Sequence, residues 1–236
     1  PDIHASLADT NVILLKIQQH ELINGAQTDT DFVEESFNAD LTTANVEVVL
    51  PDGSVVNPTA VHRKSKTADS LKQWSFKHVV DHYYHLVMPS DLDTSQTYTV
   101  RLLNNSVGDI TFRPADAISL VIHHARVYDI DAPVKRAKLS SWMSPSAGGL
   151  PYREGIPFTV HDATTQQVVH SGTTELAAPA EPIFTGTAVY TLDFSTLGAG
   201  SYYILLDGIG KSLPFTIRDD VWEEMLDISM EGLYAH

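Results

Sequence analysis

The chain has 236 residues, 30 acidic side chains against 15 basic ones, a formal net charge of −15 and no cysteine. That charge argues against nucleic acid or an anionic membrane as partner, because little here would neutralise phosphate, and the lack of cysteine removes disulfides and thiolate metal sites. The length allows one large or two ordinary domains, and no apolar run approaches the ~20 residues that a membrane helix needs.

Asn11 to Ile17 reads as the first strand, with Val12, Leu14 and Lys16 on one face and Ile13, Leu15 and Ile17 on the other. Residues 25–31 are polar and read as a loop. Two β-branched runs, Asn45–Leu50 and Ser54–Val56, flank Asp52-Gly53, a strong hairpin signal. Arg63 to Ser70 is basic and polar and is expected to be an exposed loop. Trp74 to Met88, Thr97 to Leu102 and Asp109 to Phe112 complete about seven strands with no helical period, the pattern of an antiparallel sandwich.

A second set follows. It comprises Ala117–Ile122, Val134–Met143, a hairpin of Pro157–His161 and Gln167–His170 about Asp162–Thr165, and then Thr187–Phe194, Ser201–Leu206 and Ser212–Ile217. Residues 145–149 read as a loop, and 177–182 as a Pro/Ala-rich connection. Tyr202, Ile204 and Leu206 alternate with Tyr203 and Leu205, so both faces of that strand are apolar, as inside a sandwich. Leu92 and Tyr98 in the first set, and Leu197, Gly200 and Tyr202 in the second, have the pattern of the tyrosine corner of immunoglobulin-like sandwiches. Arg113-Pro-Ala-Asp116 has linker character. After residue 218 the period becomes helical. Asp219 and Asp220 are good N-caps, Glu223 completes a capping-box spacing, and Trp222, Met225, Leu226, Met230 and Leu233 share a broad face. The expected fold is all-β: a sandwich over 1–114, a second over 115–218, and the start of one helix over 219–236.

The run from Phe184 to Tyr234 resembles the junction in family-nine glycoside hydrolases, where an immunoglobulin-like domain leads into an (α/α)6-barrel catalytic domain. The matching residues are Gly186-Thr-Ala-Val-Tyr190, Asp193-Phe-Ser195, Gly200-Ser-Tyr-Tyr203, Pro214-Phe-Thr-Ile217 and Asp219-Asp-Val-Trp-Glu-Glu224. The resemblance reaches back to about Ala117, with Tyr128 and Lys135-Arg-Ala137 retained from the family's opening segment and its Asn-Gln and Gly replaced. It implies a missing catalytic barrel as partner, with 219–236 as the barrel's first helix, a β-linked glycan as substrate of the whole enzyme, and an extracellular or periplasmic location. The opening Pro1-Asp-Ile-His-Ala5 has no signal-peptide character.

Chemistry within the chain itself is sparse. A glycosidase needs two carboxyls flanking the scissile bond; the family's Asp-Ala-Gly-Asp motif is absent, and Asp40, Asp52, Asp162, Asp193 and Asp207 stand where Asp normally caps turns. On a strand, His82 and Tyr84 point one way while Asp81, Tyr83 and His85 point the other. His78 and His82 would then lie ~13 Å apart, too far to share a metal. His123 and His124 face opposite ways. No nucleophile elbow or phosphate-binding Gly loop occurs, and no metal or cofactor is expected. Trp74, Tyr83, Tyr84 and Trp142 are candidates for a sugar-stacking platform, with packing in a core or at an interface as the commoner use of such rings. Tyr128 and Trp222 join Trp74 and Trp142 as possible sugar or interface contacts, Trp222 as an anchor toward the barrel. No aromatic trio has the spacing of a platform, so the expectation is no measurable affinity for soluble β-glucan oligosaccharides.

Overall fold

A computed structural model describes residues 2–34, 37–181, 183 and 186–234. The chain divides into two compact units: Pro1–Leu120 with Ser141–Leu150 and Gly208–Gly210, and Val121–Ser140 with Pro151–Asp207 and Lys211–His236.

The strands of the first unit are β1 (Ile3–Asp9), β2 (Val12–Gln18), β3 (His20–Leu22), β4 (Phe32–Glu34), β5 (Val46–Val49), β6 (Val55–Val56), β7 (Ala60–Ser70), β8 (His78–Val87), β9 (Tyr98–Leu102) and β10 (Ile110–Phe112). Two four-stranded antiparallel sheets, ordered β1-β2-β8-β7 and β10-β9-β5-β6, form the sandwich, and β3 and β4 pair as a separate ribbon. The alternation read in β2 sets its register: Ile13, Leu15 and Ile17 join Leu7, Tyr84 and Leu86 from one sheet and Val46, Val48, Val100 and Phe112 from the other in a single core. At about 25 cal/mol per Å² of apolar area removed from water, such a core is the main term favouring the fold.

Several elements differ from the sequence reading, two of them in the first sheet. The stretch from Arg63 to Ser70 is not a loop: β7 runs the full length of β8, from Ala60 opposite Val87 to Ser70 opposite His78. It is the edge strand of its sheet, where lysines and other polar residues protect open backbone groups from pairing with another chain, and this hid its strand character. Strand β1, unassigned from sequence, pairs with β2 across the short Thr10-Asn11 turn.

The second unit holds β11 (Ile122–His123), β12 (Val127–Asp129), β13 (Arg136–Leu139), β16 (Pro157–Asp162), β17 (Val168–Thr173), β18 (Glu175–Ala178), β19 (Val189–Asp193), β20 (Gly200–Leu206), β21 (Gly210–Lys211) and β22 (Phe215–Arg218), then helix α1 (Val221–Tyr234). The intervening β14 (Trp142–Ser144) and β15 (Gly148–Gly149) pair with each other, and β14 lies against β7 and β8, so residues read as a loop at 145–149 close a small hairpin of the first unit. Sheets β11-β13-β19-β18 and β12-β22-β20-β16-β17 make the second sandwich. Glu175–Ala178, half of it read as a connection, is an edge strand on β19. Within this sandwich β13–β19, β18–β19, β16–β17, β16–β20 and β20–β22 pair antiparallel, and β12 runs parallel to β22.

Both tyrosine corners form. The Tyr98 hydroxyl accepts from Asp93 N–H at 2.8 Å and donates to Asp93 O at 3.2 Å. The Tyr202 hydroxyl reaches back to the carbonyls of Gly198 and Ala199, at 3.2 and 3.1 Å. Gly200 is required there, because a Cβ would overlap the Tyr202 phenol. The core of this unit centres on rings: Phe194 and Phe215 are 4.9 Å apart, and Tyr128 meets both edge-on at 5.4 and 5.5 Å.

Candidate functional site

The β7–β8 hairpin ends in a turn, residues 71–77, that places two aromatic side chains in solvent. Trp74 is 89% exposed and Phe76 50% exposed, with ring centroids 6.2 Å apart and planes at 70°. The packing expected for Trp74 is therefore not made: the long strand read from Trp74 begins only at His78, and the four residues before it form the hairpin tip. Ser75 and Phe76 have φ of +86° and +43°, values that non-glycine residues rarely adopt.

Local hydrogen bonds hold this shape. Leu71 N–H donates to Lys77 O and Lys72 N–H to Ala26 O, both at 2.9 Å, and the Ser75 hydroxyl bonds the Asp29 carboxylate. The neighbouring loop is fixed in turn by Asp31, whose carboxylate accepts the N–H groups of Thr28 at 2.9 Å and Gln27 at 3.0 Å. Those bonds, the Thr28 N–H first, hold the Asp31 carboxyl below its usual range. The Gln73 amide donates to Gln27 Oε1 at 3.4 Å. Phe76 was not singled out from the sequence; in the structure its ring stands beside Trp74 in the turn.

The histidine-bearing strand β8 behaves as its alternation predicts. His82 and Tyr84 face the core and Asp81, Tyr83 and His85 the opposite side of the sheet. His82 Nε2 donates to Gln19 Oε1 and its Nδ1 accepts from Ser65, both at 2.7 Å, and burial lowers its pKa. Tyr84 donates to Ala39 O at 2.8 Å. On the other face Lys16 reaches Asp81 at 3.2 Å, and Lys64 and Lys66 lie over the Tyr83 ring at 5.5 and 5.0 Å. His85 is fully buried, with Nε2 2.9 Å from the Ser141 hydroxyl and Nδ1 without a hydrogen-bond partner. Burial, then the charges of Lys64 and His62, push its pKa down to about 3. Among the described residues no group of three or more His, Asp or Glu side chains could hold a metal ion.

The aspartates near turns act as caps. Asp52 accepts from the Ser54 hydroxyl and N–H at 2.6 and 2.9 Å, and Asp162 from the N–H groups of Thr165 and Thr164 at 2.7 and 2.9 Å. These bonds hold both carboxyls below their usual range. Burial pushes Asp193 up, but the Ser195 N–H and hydroxyl and the Arg136 guanidinium at 2.7 Å outweigh it, and its pKa is lowered. A general acid needs the opposite shift. The grooves found, about 420 Å³ beside His4, Thr111 and Asp116 and about 220 Å³ beside Phe158 and Leu205, do not set two carboxyls opposite one another.

Of the other candidates, Tyr128 is half-buried. Its hydroxyl donates to Arg136 O at 2.8 Å and accepts from Ala125 N–H at 3.2 Å, and burial raises its pKa. Trp142 is half-buried on β14. Trp222 is 68% exposed on α1. Asp220 immediately precedes the helix, and its carbonyl accepts Glu224 N–H at 3.1 Å. Arg218 pairs with the Asp220 carboxylate at 3.1 Å and with Glu224. Val221 is the buried residue of α1, which touches β12; Trp222, Met225, Leu226, Met230 and Leu233 are all exposed. No helix of the described residues is long and apolar enough to cross a membrane.

Paired antiparallel sheets closed by tyrosine corners define immunoglobulin-like sandwich modules. The second is similar to the cellulase N-terminal ig-like domain, whose family model matches residues 135–211, so the resemblance read from the motifs holds over that stretch. Phe184, where that resemblance began, lies outside the described residues. Among solved structures, a Bacteroides ovatus protein described as GH9 is 21% identical over 49% of this chain and 18% of its own, with a TM-score of 0.38. A metagenome-derived glycoside hydrolase family 9 endoglucanase is 28% identical over 41% of this chain and 17% of its own, with a TM-score of 0.32. A pullulanase from an Anoxybacillus species, solved with maltotriose, is 10% identical over 87% of this chain and 24% of its own, at a TM-score of 0.26. The aligned part thus spans under a fifth of the two family 9 proteins. No curated protein matches the chain.

Proposed function

We propose that this chain is a non-catalytic accessory region of a glycoside hydrolase acting on β-linked polysaccharide or oligosaccharide, and that it braces the catalytic barrel. The observation that carries this reading is α1. It follows a module similar to the cellulase N-terminal ig-like domain, and it presents Trp222, Met225, Leu226 and Leu233 to solvent. A 14-residue helix with its apolar side uncovered is marginal alone in water and is stabilised by a partner that covers it. The reading assigns that cover to an (α/α)6 catalytic domain, and the domain division it uses is 1–114, 115–218 and 219–236. Asp52, Asp162 and Asp193 are held by turn hydrogen bonds that keep their carboxyls below the usual range, the opposite of what a general acid needs, and the reading assigns glycoside hydrolysis to the partner domain. A polymer substrate cannot cross a membrane, which favours an extracellular or periplasmic setting.

The coding sequence that continues past His236 tests this. An Asp-Ala-Gly-Asp motif in a helical domain soon after it is the expected result. A stop codon or a further sandwich there would overturn the accessory role.

A further inference from the structure

Against the expectation from sequence of no affinity for β-glucan, we propose that Trp74 and Phe76 at the hairpin tip form a binding site for a neutral polysaccharide chain. Large aromatic side chains are normally buried, and Trp74 is almost wholly in solvent. The turn does not leave it there by looseness. Two consecutive non-glycine residues, Ser75 and Phe76, hold positive φ, and bonds to Ala26 and Asp29 fix Lys72 and Ser75 of the turn. Strain of this kind, kept in place by neighbouring bonds, fits a surface shaped in advance for a ligand.

The ligand's chemistry follows from the surroundings. The two rings sit nearly perpendicular, so the tip offers one flat indole face with the Phe76 ring beside it, suited to one or two pyranose rings stacking through their C–H faces. Gln73, the residue before Trp74, carries an amide that pairs with Gln27 at 3.4 Å, a group of the kind that hydrogen-bonds sugar hydroxyls. Lys72 and Lys77 on the turn are balanced by Asp29 and Asp31 on the neighbouring loop, and the whole chain carries −15, which disfavours an anionic polymer or lipid. A narrow turn is also a poor centre for a protein interface, which needs roughly 800 Å² per partner. The choice of a β-linked glucan as first ligand rests on the function proposed above; the stacking site does not.

The test is binding of the whole 236-residue chain to insoluble cellulose by depletion, and to soluble mixed-linkage β-glucan, mannan and starch by affinity electrophoresis. Trp74→Ala, Phe76→Ala and, as a control at an exposed apolar side chain outside the tip, Val55→Ala serve as variants. The expected result is binding to β-glucan that falls at least about tenfold in Trp74→Ala and several-fold in Phe76→Ala, and is unchanged in Val55→Ala, with urea midpoints equal throughout. Binding to starch instead, with the same variant pattern, supports the site and contradicts the β-glycan reading alone; binding to β-linked mannan instead supports the site and contradicts only the choice of glucan. A continuation lacking a catalytic domain would sink the accessory role and leave the site standing. Absence of binding to every polymer, or binding unaffected in Trp74→Ala, overturns the proposal. So does concentration-dependent self-association that Trp74→Ala abolishes, which would make the tip a protein contact.

Discussion

The buried imidazole of His85 is expected to cost this protein stability as the pH falls from about 7 to about 5. The ring is 0% exposed, its Nδ1 has no partner, and Lys64 and His62 on the neighbouring strand oppose a positive charge there. The folded pKa, about 3, lies below the ordinary 6.5. A group depressed in this way contributes fully above the unfolded pKa and loses its contribution as pH falls, because the unfolded chain takes up a proton that the folded one refuses. Worked through, that site alone removes about 2 kcal/mol of stability between about pH 7 and about pH 5. His82, also lowered, acts in the same direction. Asp52 and Asp162, depressed below their ordinary 3.8, lose their contributions only at more acidic pH. Urea unfolding at the two pH values measures the loss. In His85→Asn, which keeps an amide near Ser141 but cannot titrate, the pH difference shrinks by about 2 kcal/mol whatever the variant's absolute stability. If wild type and variant lose equal stability, or if NMR of the folded protein shows the His85 ring titrating near its unperturbed value, the reasoning is wrong.

Three further outcomes follow from the packing. Tyr202→Phe keeps the ring but loses its bonds to Gly198 and Ala199, and is expected to cost about 0.5–1.5 kcal/mol in chemical denaturation. Gly200→Ala, whose new methyl overlaps the Tyr202 phenol, should cost about 1–3 kcal/mol in the same assay. Phe215→Ala, which empties the ring cluster shared with Tyr128, Phe194 and Tyr202, should cost about 3–5 kcal/mol; a loss below that of Tyr202→Phe would show that the cluster is not the centre of the second unit's core.

What was legible in the sequence was what local periodicity encodes. Ile13, Leu15 and Ile17 alternate, and they are core; Leu92 with Tyr98 and Gly200 with Tyr202 carry corners that form. Asp220 and the run from Trp222 to Leu233 mark the helix, though the Asp220 carboxylate pairs with Arg218. Strand β7 was missed because an edge strand is written in lysines and serines, and its pairing with β8 is a long-range fact. The candidate site was half legible. Trp74 could be named from its chemistry, but a tryptophan reads as core by default, and only the positive φ at Ser75 and Phe76 turns the hairpin outward and sets a second ring beside it. His85 followed the predicted face, yet that face is buried, because the hairpin carrying Trp142 and Ser141 lies against β7 and β8.

The claim that α1 docks a catalytic domain is tested most directly by amide hydrogen exchange across residues 221–234, in this chain and in the full-length gene product. Covering Trp222, Met225, Leu226 and Leu233 would contribute on the order of 1.5–3 kcal/mol each, enough to move the helix from local opening to the protection of a folded core. The account predicts fast exchange in the chain alone and strong protection in the longer protein. Equal protection in both would mean that the helix belongs to the second sandwich and has no domain to hold.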